Sequence, residues 1–168
     1  MTLANTRKAR KSERLALTPL SLQELERLAD GSQDFLEASV LTETIHSAVL
    51  HKIENMKKLP SDTYLWLTYW LIQKQDGGQG IGVIGSKSLP DEDGYAELGY
   101  AIAREYRRRG YLTEAMTEFL DWMYEWPFCS GAVLYIRDAN VPSIRAAKKC
   151  GFLYEEMYGM YGVYRYKF

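Results

Sequence analysis

Cysteine and histidine are scarce in this chain of 168 residues: Cys129, Cys150, His46 and His51 are all it has. Two cysteines give neither a disulfide framework nor the paired spacing of a zinc site. A reduced, cytoplasmic setting fits that usage. The two histidines are not spaced to share a helix face, so no metal and no Ser-His-Asp triad is expected, and both are assigned to a helix surface. No apolar run approaches the ~20 residues that span a membrane. The start is basic but lacks the apolar stretch of a secretory leader, so no membrane association is expected. Also missing is any Pro- or Ser-rich gap between two apolar regions. With 46% hydrophobic residues, one soluble domain over residues 1–168 is expected. A formal net charge of −1 excludes a generic polyanion binder, but the charge is uneven. Arg7, Lys8, Arg10, Lys11 and Arg14 face only Glu13 among residues 1–14, a local +4. That segment reads as a solvated, flexible tail, or as a weak contact for RNA or a ribosome-like surface.

What is present has a clear order. Leu15 to Leu17 begins a strand. Leu22, Leu25 and Leu28 give a helix over Leu20 to Ala29, ended by Asp30-Gly31. A second helical region runs from about Asp34 to Lys58, broken near Val40. Tyr64 to Gln73, rich in aromatics, reads as a long strand. Asp76-Gly77-Gly78 is a hairpin turn, Gly80 to Ser86 the next strand, and Tyr95 to Ala103 a third. Leu112, Ala115, Met116, Phe119, Leu120, Met123 and Trp126 share one face of a helix that Pro127 stops. Ala132 to Ile136 is a short buried strand. Asn140-Val141-Pro142-Ser143 opens a further helix, with Gly151 as its left-handed cap. Strands near Leu153 to Met157 and Val163 to Phe168 close the chain. The fold class is α/β in the broad sense (α+β), a mixed sheet flanked by helices.

Two glycine motifs compete for attention. Gly80-Ile81-Gly82-Val83-Ile84-Gly85 matches G-x-G-x-x-G, but a dinucleotide site needs those glycines between a strand and a helix. Here they lie inside a strand, so a bulge or a close backbone approach is the better reading. Arg107-Arg108-Arg109-Gly110-Tyr111-Leu112-Thr113 has the right context. It follows a strand, opens a helix, and pivots on a glycine that admits an anion close to the backbone. Unpaired N–H groups, the helix dipole and the arginines all favour a phosphate or pyrophosphate there. A charged surface cap is the bland alternative.

The stretch Arg107 to Thr113 resembles the Gln/Arg-x-x-Gly-x-Gly/Ala signature of the GNAT superfamily of acyl-CoA-dependent N-acetyltransferases. The strand ending Gly99-Tyr100-Ala101-Ile102 precedes it, as in that family. Asn140-x-x-Ser143 followed by Lys149-Cys150-Gly151-Phe152 is similar to a block of the RimJ/RimL-like branch, which includes enzymes that acetylate the α-amine of ribosomal proteins. The resemblance covers nearly the whole chain and is strongest from Glu97 to Phe152. It implies a mostly antiparallel central sheet of six to seven strands, splayed at the cofactor site. One departure is Leu112, where the signature has a small residue.

Further implications follow from the resemblance. Acetyl-CoA is the co-substrate, with its pantetheine arm along Ala101, Ile102 and Ala103 and its pyrophosphate over Arg107, Arg108, Arg109, Gly110, Tyr111, Leu112 and Thr113. Asn140 and Ser143 complete the cofactor site. The acceptor is a primary amine on a peptide N-terminus or a small molecule. Glu97 is the candidate base, directly or through water. The family's usual acid, a tyrosine, falls at Ala147 here. Ser143 is therefore the candidate acid, with Tyr154, Tyr158 or Tyr164 as other options, unless the thiolate leaves unaided. Cys150, at a helix end, reads as an ordinary small buried residue rather than an acyl carrier. A CoA-binding regulatory module with little transferase activity stands as the other reading, on Leu112 and Ala147. The chain is read as a monomer or a homodimer.

Overall fold

A computed structural model describes residues 9–168. Eight strands form one sheet in the order β1-β2-β3-β4-β5-β6-β8-β7. They are β1 (Arg10–Lys11), β2 (Leu15–Pro19), β3 (Trp70–Lys74), β4 (Gly82–Ser86), β5 (Tyr95–Ile102), β6 (Gly131–Arg137), β7 (Leu153–Tyr158) and β8 (Tyr161–Lys167). Five α-helices flank them: α1 (Leu22–Asp30), α2 (Glu43–Lys58), α3 (Tyr64–Leu67), α4 (Tyr111–Tyr124) and α5 (Val141–Cys150). The expected mixed, mostly antiparallel architecture is present: among the named strands of the described residues only β5 and β6 pair in parallel. The strand beyond the expected six or seven is the two-residue β1, which lies in the basic segment and pairs with β2.

Local chemistry sets the helix ends. Ser21 and Glu24 form a reciprocal capping box at the start of α1, which ends at Gly31 with φ 79°. Thr42 caps α2 by accepting from the Ile45 N–H. Gly151, with φ 101°, ends α5 as its pattern predicts. The sequence reading erred over Tyr64 to Gln73. A helical turn occupies Tyr64–Leu67 and the strand begins only at Trp70. Strand propensity loses to packing here: the turn buries Trp66 in one core and Leu67 in the other.

The two cores lie on opposite faces of the sheet. One gathers Trp70, Phe119 and Trp122 beneath α4, with Trp66 joining them. Ring centroids are 4.7 Å apart for Trp66–Trp122 and 4.9 Å for Trp70–Trp122. The other places Leu25, Leu28, Val49 and Met56 of α1 and α2 against Tyr69, Leu71 and Val83. The glycines of the false dinucleotide motif belong to this tight packing. A Cβ on Gly82 would stand 2.5 Å from the Ala101 carbonyl oxygen, and one on Gly85 would stand 2.6 Å from that of Thr68.

Candidate functional site

The sheet forks in its middle. β5 and β6 pair only from Tyr95–Gly131 to Glu97–Val133. Beyond that point β6 continues to Arg137 against β8, while β5 continues to Ile102 against β4. The alternation of strand bonds decides which main-chain groups face the gap. Lys87 N–H donates to the Glu97 carbonyl at 2.8 Å, and Ala103 N–H donates to that of Ile81 at 2.7 Å. Odd-numbered residues of β5 therefore bond to β4. The main-chain groups of Leu98, Tyr100 and Ile102 turn towards the fork. Arg107 occupies one of these, its Nε donating to the Ile102 carbonyl at 3.0 Å.

The basic turn lies at the open end of this fork. Gly110 is the N-cap of α4 with φ 80° and offers no side-chain cap. The first bond back to it comes from the Glu114 N–H, which leaves the N–H groups of Tyr111, Leu112 and Thr113 as helix-start donors. Arg108 has φ 63°, the left-handed region. Arg108 and Arg109 are exposed, and Arg109 stands over the Tyr106 ring at 5.5 Å. Leu112 packs against the α4-side core, so its side chain leaves the N–H fan uncovered. The pieces fit an anion at the turn, joined to an extended chain in the fork.

Arg14 was not among the candidate site residues, yet it reaches this turn. Its Nη1 donates to the Arg109 carbonyl at 2.9 Å, and its guanidinium lies 4.4 Å over the Tyr111 ring. Glu114 holds it there through Nε at 2.7 Å and the main-chain N–H at 2.8 Å. Arg10 joins the same acidic stripe through Glu118 at 3.1 Å and Glu125 at 2.5 Å. Residues 10–14 are thus bound to α4 rather than loose. Arg7 and Lys8, the rest of the basic segment, lie outside the described residues.

Glu97 and Ser143 lie on different faces. Glu97 is on the α1/α2 face of β5 and pairs with the Lys87 ammonium at 2.6 Å. Nearby, Lys52 of α2 is buried, donates to the Ser86 and Leu67 carbonyls at 2.7 and 3.3 Å, and lies 4.4 Å over the Tyr69 ring. Burial, helped by the Lys87 charge, lowers its pKa to about 7. Ser143 is buried on the other face at the start of α5, where its N–H donates to the Asn140 side chain at 3.4 Å. The Tyr100 phenol bonds to the Ser143 side chain; burial raises the phenol's pKa and that bond opposes the rise. This Tyr100–Ser143 pair was missed because it joins a strand to a helix start far along the chain. Ala147 is fully buried. Tyr154 and Tyr158 are on β7, separated from β6 by β8, which at ~4.8 Å per strand puts β7 about 14 Å from β5. Tyr164 is buried. The Cys150 thiol donates to the Thr113 carbonyl at 3.5 Å, and burial raises its pKa, so it is a poor nucleophile. His46 and His51 are exposed on α2.

Comparison with known proteins bears on this arrangement. The family described as acetyltransferase (GNAT) domain matches residues 14–153. The uncharacterized N-acetyltransferase YjdG of Bacillus subtilis (strain 168) is 31% identical over 84 residues, 50% of this chain. The match likewise spans 50% of that curated relative's length. A solved structure of RimL, a ribosomal L7/L12 alpha-N-protein acetyltransferase in complex with coenzyme A, is similar in fold with a TM-score of 0.67 at 16% identity, covering 95% of this chain and 98% of that one. The ribosomal-protein-S5-alanine acetyltransferase from Vibrio fischeri also scores 0.67 at 14% identity, covering 95% and 96%. Among the described residues no helix is long and apolar enough to cross a membrane.

Proposed function

The chain belongs to the GNAT acetyltransferase family, and from that premise we propose that it moves the acetyl group of acetyl-CoA to a primary amine. The observation that carries the reading is the fork beyond Glu97, opening beside a helix start that no side chain of the described residues caps. Bound acetyl-CoA supplies the activated acyl group as a thioester. The N–H groups of Tyr111, Leu112 and Thr113 would take its pyrophosphate, with Arg108 and Arg109 adding positive charge. Arg107 braces the turn through the Ile102 carbonyl. The main chain of Tyr100 and Ile102 would hold the arm as an added strand is held, and a Tyr100 N–H facing the gap can polarise a carbonyl placed there. Asn140 would border the far side of the arm.

Two groups would handle protons. Glu97 at the fork would accept one from the incoming amine. Ser143, with Tyr100 behind it, would return one to the departing thiolate. The acceptor class is a protein N-terminal α-amine, the arm that the RimL likeness supports, or a small-molecule amine.

A calorimetric titration with acetyl-CoA tests the cofactor site, and thiol release with peptides, polyamines and aminoglycosides tests transfer. Binding followed by release with at least one acceptor is expected. Absence of any CoA binding would overturn the reading. Binding without transfer to any of those amines would favour a regulatory CoA-binding module, the reading to which the buried Ala147 lends support.

A further inference from the structure

Glu97, the candidate base, already holds an amine. Lys87 Nζ lies 2.6 Å from Glu97 Oε1. The two residues are cross-strand partners, with Lys87 N–H donating to the Glu97 carbonyl, so their side chains leave the sheet on the same face. The Lys87 stem then runs along the neighbouring strand. A Cβ on Gly99 would stand 3.6 Å from Lys87 Cε and 3.8 Å from the Tyr69 hydroxyl. Because residue 99 is a glycine, no side chain separates that stem from β5. The next residue is Tyr100, whose main chain opens into the fork. The Lys87 side chain is 58% exposed, so its amine, though held by Glu97, is not walled in by other side chains.

We propose that Lys87 is an internal acceptor: the protein acetylates its own Lys87 when no external amine occupies the site. The inference rests on the acetyl-transfer reading above. The Lys87 ammonium passes a proton to the Glu97 carboxylate, and the neutral amine attacks the thioester carbonyl of acetyl-CoA. A new N–C bond forms, the C–S bond breaks with its electron pair going to sulfur, and a proton returns to the CoA thiolate. The product is an uncharged amide at Lys87. It dissolves the ion pair with Glu97 and removes a positive charge from beside Lys52. A tethered amine competes well for such a site because its local concentration is high.

The test uses the whole chain, incubated with acetyl-CoA and no acceptor, followed by peptide mapping by mass spectrometry. Lys57 and Lys58, exposed at the end of α2, report the uncatalysed background. Lys87 is expected to be labelled roughly tenfold faster than either, as held amines are. Glu97→Gln is expected to bring it down to the background rate, and Lys87→Arg to abolish that labelled peptide while leaving acetyl-CoA affinity intact by calorimetry. Labelling of Lys87 no faster than Lys57 and Lys58, or equal labelling in Glu97→Gln, would overturn the inference. If external amines are still acetylated in that case, the transferase reading survives; if nothing is acetylated at all, both fall.

Discussion

Gly110 is the position where one substitution separates a ligand site from a surface cap. Its φ of 80° is left-handed, where a residue with a Cβ costs roughly 1–2 kcal/mol. The added Cβ itself meets little: Arg14 Nη2 is 3.3 Å away, the end of a flexible side chain. The cost is therefore backbone strain, and the order of variants follows from it. Asparagine tolerates the left-handed region best, alanine less, and β-branched valine least. For a chain of this size ~1 kcal/mol corresponds to about 2–4 °C of Tm, so Gly110→Ala is expected to lower Tm by about 2–8 °C and Gly110→Val by more. If the turn relieves strain by rotating the N–H groups of Tyr111 to Thr113, each charge-assisted bond lost weakens binding by ~1.5 kcal/mol, about tenfold. Calorimetric titration with CoA should then rank the variants as Gly, Asn, Ala, Val from tight to weak. Normal CoA affinity in Gly110→Val, measured beside its lowered Tm, would show that the turn only caps the helix.

Other consequences can be measured separately. Glu97→Gln should lower turnover, most strongly at lower pH, with acetyl-CoA affinity retained; an unchanged pH–rate profile removes Glu97 as the base. Lys52 is pushed down to about 7 from its ordinary 10.5, so the unfolded chain binds more protons than the folded one between those values. Stability should rise with pH across that window by at most ~1.4 kcal/mol per unit, fall as pH drops towards about 7, and lose nothing more below it. Urea midpoints should show this rise in the wild type and not in Lys52→Met; an equal rise in both refutes the assignment. Phe119 is fully buried, 5.1 Å from Trp122 and 5.6 Å from Trp70 between ring centroids, so Phe119→Ala should cost ~3–5 kcal/mol in urea unfolding. A loss below about 1 kcal/mol would mean that face packs loosely.

Periodicity and caps were the legible part of the fold. The apolar face of α4 was plain from Leu112 to Met123, although Trp122 also proved buried. The helix ends at Tyr124, so Trp126 joins the same core from the turn after it and not from the helix face. Gly151 marked the end of α5, because a left-handed cap has few alternatives to glycine. The Tyr64–Leu67 turn was illegible: its residues favour strands, and only their division between two cores makes them helical. At the site, the basic turn showed its chemistry directly. The fork did not, since it depends on how far two strands pair, and its expectation came from family likeness. Arg14 and Glu114 are 100 residues apart, and no local pattern links them. A partial signal existed in Glu114, Glu118 and Glu125, an acidic stripe at helical spacing awaiting a basic partner.

That stripe explains why the basic segment matters to the turn. A carboxylate in the first turn of a helix favours the dipole, but beside a phosphate site it competes with the ligand for the same N–H groups. Glu114 holds that position. Burial opposes its charge, yet the Ser12 hydroxyl and the Arg14 amide and guanidinium keep its carboxyl below the usual range. Its oxygens are thus turned onto residues 12 and 14 and away from the helix start. Arg14 neutralises Glu114 and spans to the Arg109 carbonyl, while Arg108 and Arg109 have no carboxylate partner among the described ion pairs. The positive charge at Gly110 is therefore surplus charge, available to a ligand. The cations that balance the helix come from β1 and the loop after it, which a sequence reading assigned to a solvated tail.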